Sequence, residues 1–411
     1  MSRAIALVTV AVLSIGLVAC TSEPAPVPEP TATPTPVPPS GDGVLRFGTL
    51  FPVTGEFAFM GSAQLAGVEL AVRELNEFGG VNGKPVEVFH RDSADASSET
   101  AEASFGELAG KGVDVVIGPS VSVLAERVLP LAVEAGIPLI SPAATDPRLS
   151  AHAETGMFFR TIPSAALQGA AIAGLIGGTV AVIYFDDEPS LAVRNSLVNA
   201  RPADTVVADV KMTASASPAK IVSEVKAAKP DVVVLASPFS QAEQNQAVIA
   251  ALTAARLGGE RLWLTSQSLA DYSQTLPAGV LASVGSLREG AEPDDAFVAR
   301  VRASDPRVTD FRYAAEAYDA TILAALAAVL ADDDGGPSIA ASLRDASAGG
   351  ITCTSYGECL DVLTTEDDID YDGVSGPLEL DASGDPMMAH YSLFRYGPDN
   401  KYARYDGVFA G

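Results

Sequence analysis

The stretch VDVVIGPSVSVLAERVLPLAVEAGIPLISP, residues 113–142, decides the fold class. VDVVIGP is a short apolar strand, VSVLAERVLPLAVEAG has helical spacing, and IPLISP is an apolar strand again. Strands that are apolar throughout, alternating with helices of this length, belong to a parallel sheet covered on both faces. Working back toward the N-terminus, the pattern repeats. VLRFGTLF (44–51) is β-rich, and the run 61–78 places Leu65, Val68, Leu70, Ala71 and Leu75 at helical spacing. GGVNGKP is a turn by composition, VEVFHRD (86–92) alternates as a strand, and SSETAEASFGELAGK (97–111) reads as a helix with a Ser cap and an acidic first turn.

Working forward, the alternation restarts after Pro163. Helices are expected in SAALQGAAIAGLIG, SLAVRNSLVNA, SPAKIVSEVKAAK and QAEQNQAVIAALTAARLG, and strands in TVAVIYFDD, DTVVADVKM, PDVVVLASP and RLWLTS. The result is two α/β units in series, which suits a folded part too long for a single core. The tail departs from the pattern. Residues 311–331 form one long helix, and from about residue 373 short strands with Gly turns take over (SGPLELD, HYSLFRYG, YARYDG). An end of this kind suggests that the chain returns to cross between two lobes.

The first residues have a different character. Arg3 is followed by an apolar stretch, Ala4–Ala19, which at about 16 residues is short for a membrane span. Charge, apolar core and small residues at a cut make a secretory signal over residues 1–19. Leu17-Val18-Ala19 leading into Cys20 resembles the lipobox of bacterial lipoproteins, which implies acylation of Cys20 and an extracytoplasmic protein anchored to the bacterial cell membrane. An ordinary signal peptide with a chance Cys, or an uncleaved anchor helix, are the plainer alternatives. Residues 20–43 would then be the lipidated Cys and a Pro/Thr-rich tether, able to reach up to roughly 70 Å in extended polyproline geometry.

The formal net charge is −26, so nucleic acid and anionic lipid surfaces are poor partners, and the charge itself reads as solubility. Cys353 and Cys359, close together in an oxidising compartment, are most simply a disulfide. Neither GELAGKG nor GGVNGKP has phosphate-loop spacing, GPSVS lacks the last Gly of a nucleophile elbow, and His90, His152 and His390 are scattered. DIDYDGVSGPLE fits a calcium-loop spacing from Asp368 to Glu379, yet Pro377 interrupts its second half and no helix clearly follows. An ordinary acidic turn is the expectation, with no metal site and no cofactor.

Candidate binding residues follow from the strand ends. In open α/β sheets ligands gather where strands run into helices. Ser120 and Ser122 lie between VVIGP and a helix, and Ser141 and Thr145 in SPAATDP follow the next strand. Hydroxyls beside free helix N–H groups can bind an anion; alternatively the serines are helix caps and Thr145 a turn residue. Phe57, Phe59 and Met60 follow the first strand and read either as an apolar ligand wall or as a cap on the next helix.

Taken together, residues 51–88, VVIGPSVS with GIPLISPAATDPRL, EAYDATILAALAAVLA and DYDGVSGPLELDASGDP resemble the branched-chain amino-acid binding proteins of ABC importers. The resemblance implies a type I periplasmic-binding-protein fold: two doubly wound parallel-sheet α/β lobes joined by about three crossovers. The N-lobe would comprise residues 44–163 and 288–387, and the C-lobe 164–287 and 388–411. It also implies that Ser122 and the Ala143-Ala144-Thr145 run hold a ligand carboxylate. On the C-lobe side it places Ser190 and Leu191 where the family commonly has Tyr-Gly, Gln267 near the acidic partner of a ligand ammonium with Asp271 as the alternative for that place, and Phe239 either in the place of a ligand-facing tyrosine or as a core or surface aromatic. Gln267 is neutral and supplies no charge partner, so a small carboxylate-bearing molecule is a safer ligand class than leucine, isoleucine or valine. The function implied is a monomeric, non-enzymatic solute receptor that docks on ABC permease subunits, with a sensing ectodomain of the same fold as the alternative.

Overall fold

The computed structural model describes residues 37–410 apart from 56 and 291, so the signal segment, Cys20 and most of the tether lie outside the described residues. The first sheet is parallel, in the order β2–β1–β3–β4–β5: β1 is Arg46–Phe51, β2 Glu87–Asp92, β3 Val115–Ile117, β4 Leu139–Ser141 and β5 Phe158–Arg160. Helices α1 (Ala58–Glu77), α2 (Thr100–Ala109) and α3 (Ser122–Ala135) connect its strands. The apolar residues of VDVVIGP and IPLISP are buried because both faces of this sheet are covered. Phe47, Val115, Ile117 and Ile140 pack toward α1, whereas Leu50, Val116 and Leu139 pack toward α2 and α3.

The second sheet runs β15–β14–β10–β9–β8–β6–β7. It contains β6 (Val180–Phe185), β7 (Val206–Met212), β8 (Val232–Ala236), β9 (Leu262–Leu264) and β10 (Gly285–Glu289), all parallel, then β14 (Ala389–Tyr396), antiparallel to β10, and β15 (Tyr402–Ala410), antiparallel to β14. Its helices are α4 (Ala165–Leu175), α5 (Glu188–Asn199), α6 (Pro218–Ala228) and α7 (Ala242–Ala254). Sheet pairing carries this lobe two residues past 287, to Glu289.

Between β10 and β14 the chain returns to the first lobe and adds α8 (Asp295–Ser304), α9 (Ala314–Ala331), α10 (Gly336–Ser342) and α11 (Tyr356–Leu363). A small sheet of β11 (Ile351–Cys353), β12 (Ile369–Gly373) and β13 (Gly376–Pro377) follows the same core. Three segments therefore join the lobes: residues 161–164, 290–294 and 378–388. Helix α9 is apolar enough in length and composition to cross a membrane, but it is the central core helix of the first lobe, packed along α1.

Several local expectations differ from the structure. The tether ends earlier than residue 43: the main-chain N–H groups of Ser40 and Gly41 donate to the Asp333 carboxylate at 3.1 and 2.9 Å, and Gly43 donates to Asp334 at 2.8 Å. The N-cap of α2 is Glu99 with no side-chain cap bond, not a serine. SGPLELD contributes only the two-residue β13, because Leu378 and Leu380 turn into the core instead of extending a strand. The sulfurs of Cys353 and Cys359 are joined, tying β11 to α11. Asp370 and Asp372 lie along β12 and, among the described residues, no three acidic, His or Cys side chains gather around a cation-sized space.

Candidate functional site

The carboxyl ends of the two parallel sheets form two rims. The first rim is the loop after β4. The Ser141 hydroxyl donates to the Pro119 carbonyl at 2.6 Å and accepts from Ala144 N–H at 3.0 Å, which folds residues 141–146 into a tight bend. Ser122 opens α3 without capping it, and its Oγ accepts from Asp146 N–H at 3.2 Å. Ser122, Ala143 and Thr145 are half-buried. The structure places two further candidates inward: the Ala144 side chain is buried with its N–H bonded to Ser141, and Ser120 is buried with its hydroxyl donating to Gln64 Oε1 at 2.7 Å.

The bend is held from beneath by Arg160, at the end of β5. This fully buried guanidinium donates from Nη1 to the carbonyls of Ala144 and Asp146 at 3.0 and 3.1 Å. Its Nε and Nη2 grip Asp385 bidentately at 2.6 and 2.5 Å, and Nη2 also reaches Ser150 Oγ at 2.6 Å. A buried charge with every donor satisfied is a rigid support. Sequence reasoning missed this pair, since the partners are 225 residues apart.

At the start of α1, Met60 is buried and Phe59 is 45% exposed, with the Arg312 guanidinium 4.6 Å from its ring centroid. The Met60 side chain is therefore buried, while the Phe59 ring lies on the surface.

The second rim is notable for polar atoms that lack partners. Buried side-chain polar groups are almost always hydrogen-bonded. Here Ser190 Oγ, Ser237 Oγ, Thr265 Oγ1 and both amide atoms of Gln267 are buried without a partner among the described residues. They follow β6, β8 and β9, three adjacent strands. Ser190 is in the first turn of α5, its N–H bonded to the Asp187 carboxylate at 2.9 Å. Phe239 is 49% exposed in the turn after β8. Ser237 and Thr265 were not among the candidates, although the signal that singled out Ser120, a hydroxyl just past an apolar strand, applies equally to them.

The rims adjoin one another. The Thr145 carbonyl accepts from Ala165 N–H at 2.8 Å, at the start of α4, and the beginning of α5 packs near the 147–155 segment of the first lobe. The half-buried side chains of Ser122 and Thr145 thus border an edge where several neutral polar groups have no partner among the described residues.

This arrangement, on two doubly wound lobes with three joins, agrees with a family model described as periplasmic binding protein, which matches residues 44–359. The chain belongs to the periplasmic binding protein family. Among its relatives, this binding protein is 24% identical over 360 residues to the chemotactic signal transduction system substrate-binding protein BasB of Halobacterium salinarum, covering 84% of this chain and 85% of that one. Among solved structures it resembles the branched-chain amino acid transporter substrate binding protein LivJ of Streptococcus pneumoniae in complex with isoleucine (TM-score 0.63, 19% identity, 90% of this chain and 100% of that one). It also resembles an ABC-transporter solute binding protein of R. palustris in complex with 4-hydroxybenzoate (TM-score 0.64, 17% identity, 89% and 97% covered). At these identities the solved structures establish the type I periplasmic-binding-protein fold.

Proposed function

We propose that this binding protein is the extracytoplasmic receptor of an ABC importer, tethered through lipidated Cys20, and that it captures a small carboxylate-bearing ligand between its lobes. Its role is capture, without chemical turnover. The observation that carries this reading is the set of partnerless buried groups at Ser190, Ser237, Thr265 and Gln267 beside the donor-rich edge of Ser122, Ala143 and Thr145. Leaving such groups unpaired costs about 1–3 kcal/mol each, and a ligand that satisfies them recovers that cost. Micromolar capture needs only about −8 kcal/mol. The Cys353–Cys359 link fits an oxidising compartment, and the protein acts as a monomer that docks on permease subunits.

The ligands of the structural relatives, isoleucine and 4-hydroxybenzoate, share a carboxylate and little else. Gln267 supplies an amide in place of a charge, which favours a ligand with a neutral polar group near its far end. Thermal-shift screening of the full chain against amino acids, amides and aromatic acids tests this reading. A stabilising hit followed by ligand-dependent co-precipitation with ABC permease subunits is the expected result.

A sensing role is the second reading, favoured by the relative named for chemotactic signalling, which aligns over most of both chains. Ligand-dependent capture of a receptor in place of a permease distinguishes it.

A further inference from the structure

The first two joins between the lobes, and the strand that the third leads into, meet near two carboxyl groups, one from each lobe. Glu289 ends β10 of the second sheet, and its Oε1 accepts from Gln168 Nε2 of α4 and from Ser266 Oγ, the latter at 2.8 Å. Glu316 lies in the first turn of α9, in the first lobe. Its main-chain carbonyl accepts from Thr161 Oγ1, in the first join, at 2.8 Å. Its carboxyl lies against Gly290, in the second join, so closely that a methyl group there would overlap Glu316 Oε1. Gly290 is in turn bonded to the third join's strand: its N–H donates to the His390 carbonyl at 2.9 Å, and its carbonyl accepts from Ser392 Oγ at 3.1 Å.

Both side chains are buried, Glu289 at 4% and Glu316 at 3% exposure. No cation pairs with either among the described residues. Arg288 of β10 is paired with Glu292, and Arg312, ahead of α9, is paired with Asp310. The other titratable neighbours are Tyr313, Asp319 and Tyr391. The Asp319 carboxylate already accepts from Tyr371 OH, Ser375 Oγ and the N–H groups of Val374 and Ser375. The Tyr391 hydroxyl is buried without a partner among the described residues. Two buried acids from opposite lobes thus meet at the Gly290 join, one on the strand leading into it and the other packed against it, with Arg288 the nearby cation.

We infer that Glu289 and Glu316 form a proton-sensitive latch in the hinge: protonation holds the lobes in the arrangement described, and ionisation of both drives them toward a different one. Two carboxylates in one dry site cannot both ionise without strong repulsion. Because one rides on a strand of the second lobe and the other on a helix of the first, a change in lobe angle changes their separation. Burial, with Asp319 and Glu289 nearby, pushes the Glu316 carboxyl up to about 8, and burial also pushes Glu289 up. The proton is therefore lost within the range an extracytoplasmic protein meets.

The test needs no ligand and stands apart from the transport reading. Donor and acceptor dyes are placed by noncanonical amino acids at the exposed positions Glu134 on α3 and Lys226 on α6 of the full chain. Energy transfer is then followed from pH 6 to pH 9. The expected result is a sigmoidal change in wild type, lost in Glu316→Gln and in Glu289→Gln, and retained in Asp114→Asn, which removes a raised carboxyl outside the hinge. A flat wild-type profile, or a transition that persists in both glutamine variants, overturns the latch. Should Glu316→Gln fail to fold, Glu289→Gln carries the test alone.

Discussion

Thr145 is the residue on which the carboxylate assignment turns, because its side chain is half-buried on the first rim while the Ser122 hydroxyl already accepts from Asp146 N–H. Thr145→Ala is expected to weaken ligand binding more than tenfold, about 1.4 kcal/mol or more, with an unchanged melting temperature; calorimetry and a thermal scan check both halves. Arg160 behaves differently. Arg160→Met leaves Asp385 buried without its partner, so a loss of roughly 3–5 kcal/mol of stability is expected in denaturant titration, with ligand binding lost as the 141–146 bend relaxes. Strand-end hydroxyls were legible because a polar residue placed just after an apolar run has few reasons to be there. Which of Ser120 and Ser122 faces outward was not legible: they stand two apart, and the inward one is fixed by Gln64, which is 56 residues earlier. The neutral Gln267 was legible as a departure, but its unsatisfied amide was not, since that depends on what surrounds it.

At the scale of elements, long apolar periodic segments such as α1 and α9 declared themselves. The three-residue β5 and the five-residue β10 did not, because short strands next to charged residues carry almost no periodicity. Those two strands happen to end at Arg160 and Glu289, so the supports of the site were hidden together with the strands that carry them. The pairing of α1 with α9 depends on Gly67, where a methyl group would overlap the Ala314 carbonyl. Gly67→Ala is expected to destabilise the first lobe by about 1–3 kcal/mol through overpacking, measured as a lower midpoint in urea with little change in slope.

For the molecule as a whole, the buried acids set a pH dependence. Glu316 is pushed up to about 8 and Asp114 to about 7, both chiefly by burial, while unfolded carboxyls titrate near 4. The native state therefore holds more protons than the unfolded chain between those values, and stability falls as pH rises from about 5 to about 8. Melting temperatures across that range should decline in wild type and flatten at the upper end in Glu316→Gln. The two-lobed plan was readable from alternation alone, because each apolar strand needs helices on both faces. The closeness of two acids at the hinge was not, since it arises only when the joins come together.

The central claim is that a ligand carboxylate seats on the rim of Ser122, Ala143 and Thr145. It is tested most directly by calorimetry of the full chain with the best ligand from the thermal-shift screen, compared with the methyl ester of that ligand. The account predicts that esterification abolishes binding; an ester that binds as tightly as the free acid would contradict it.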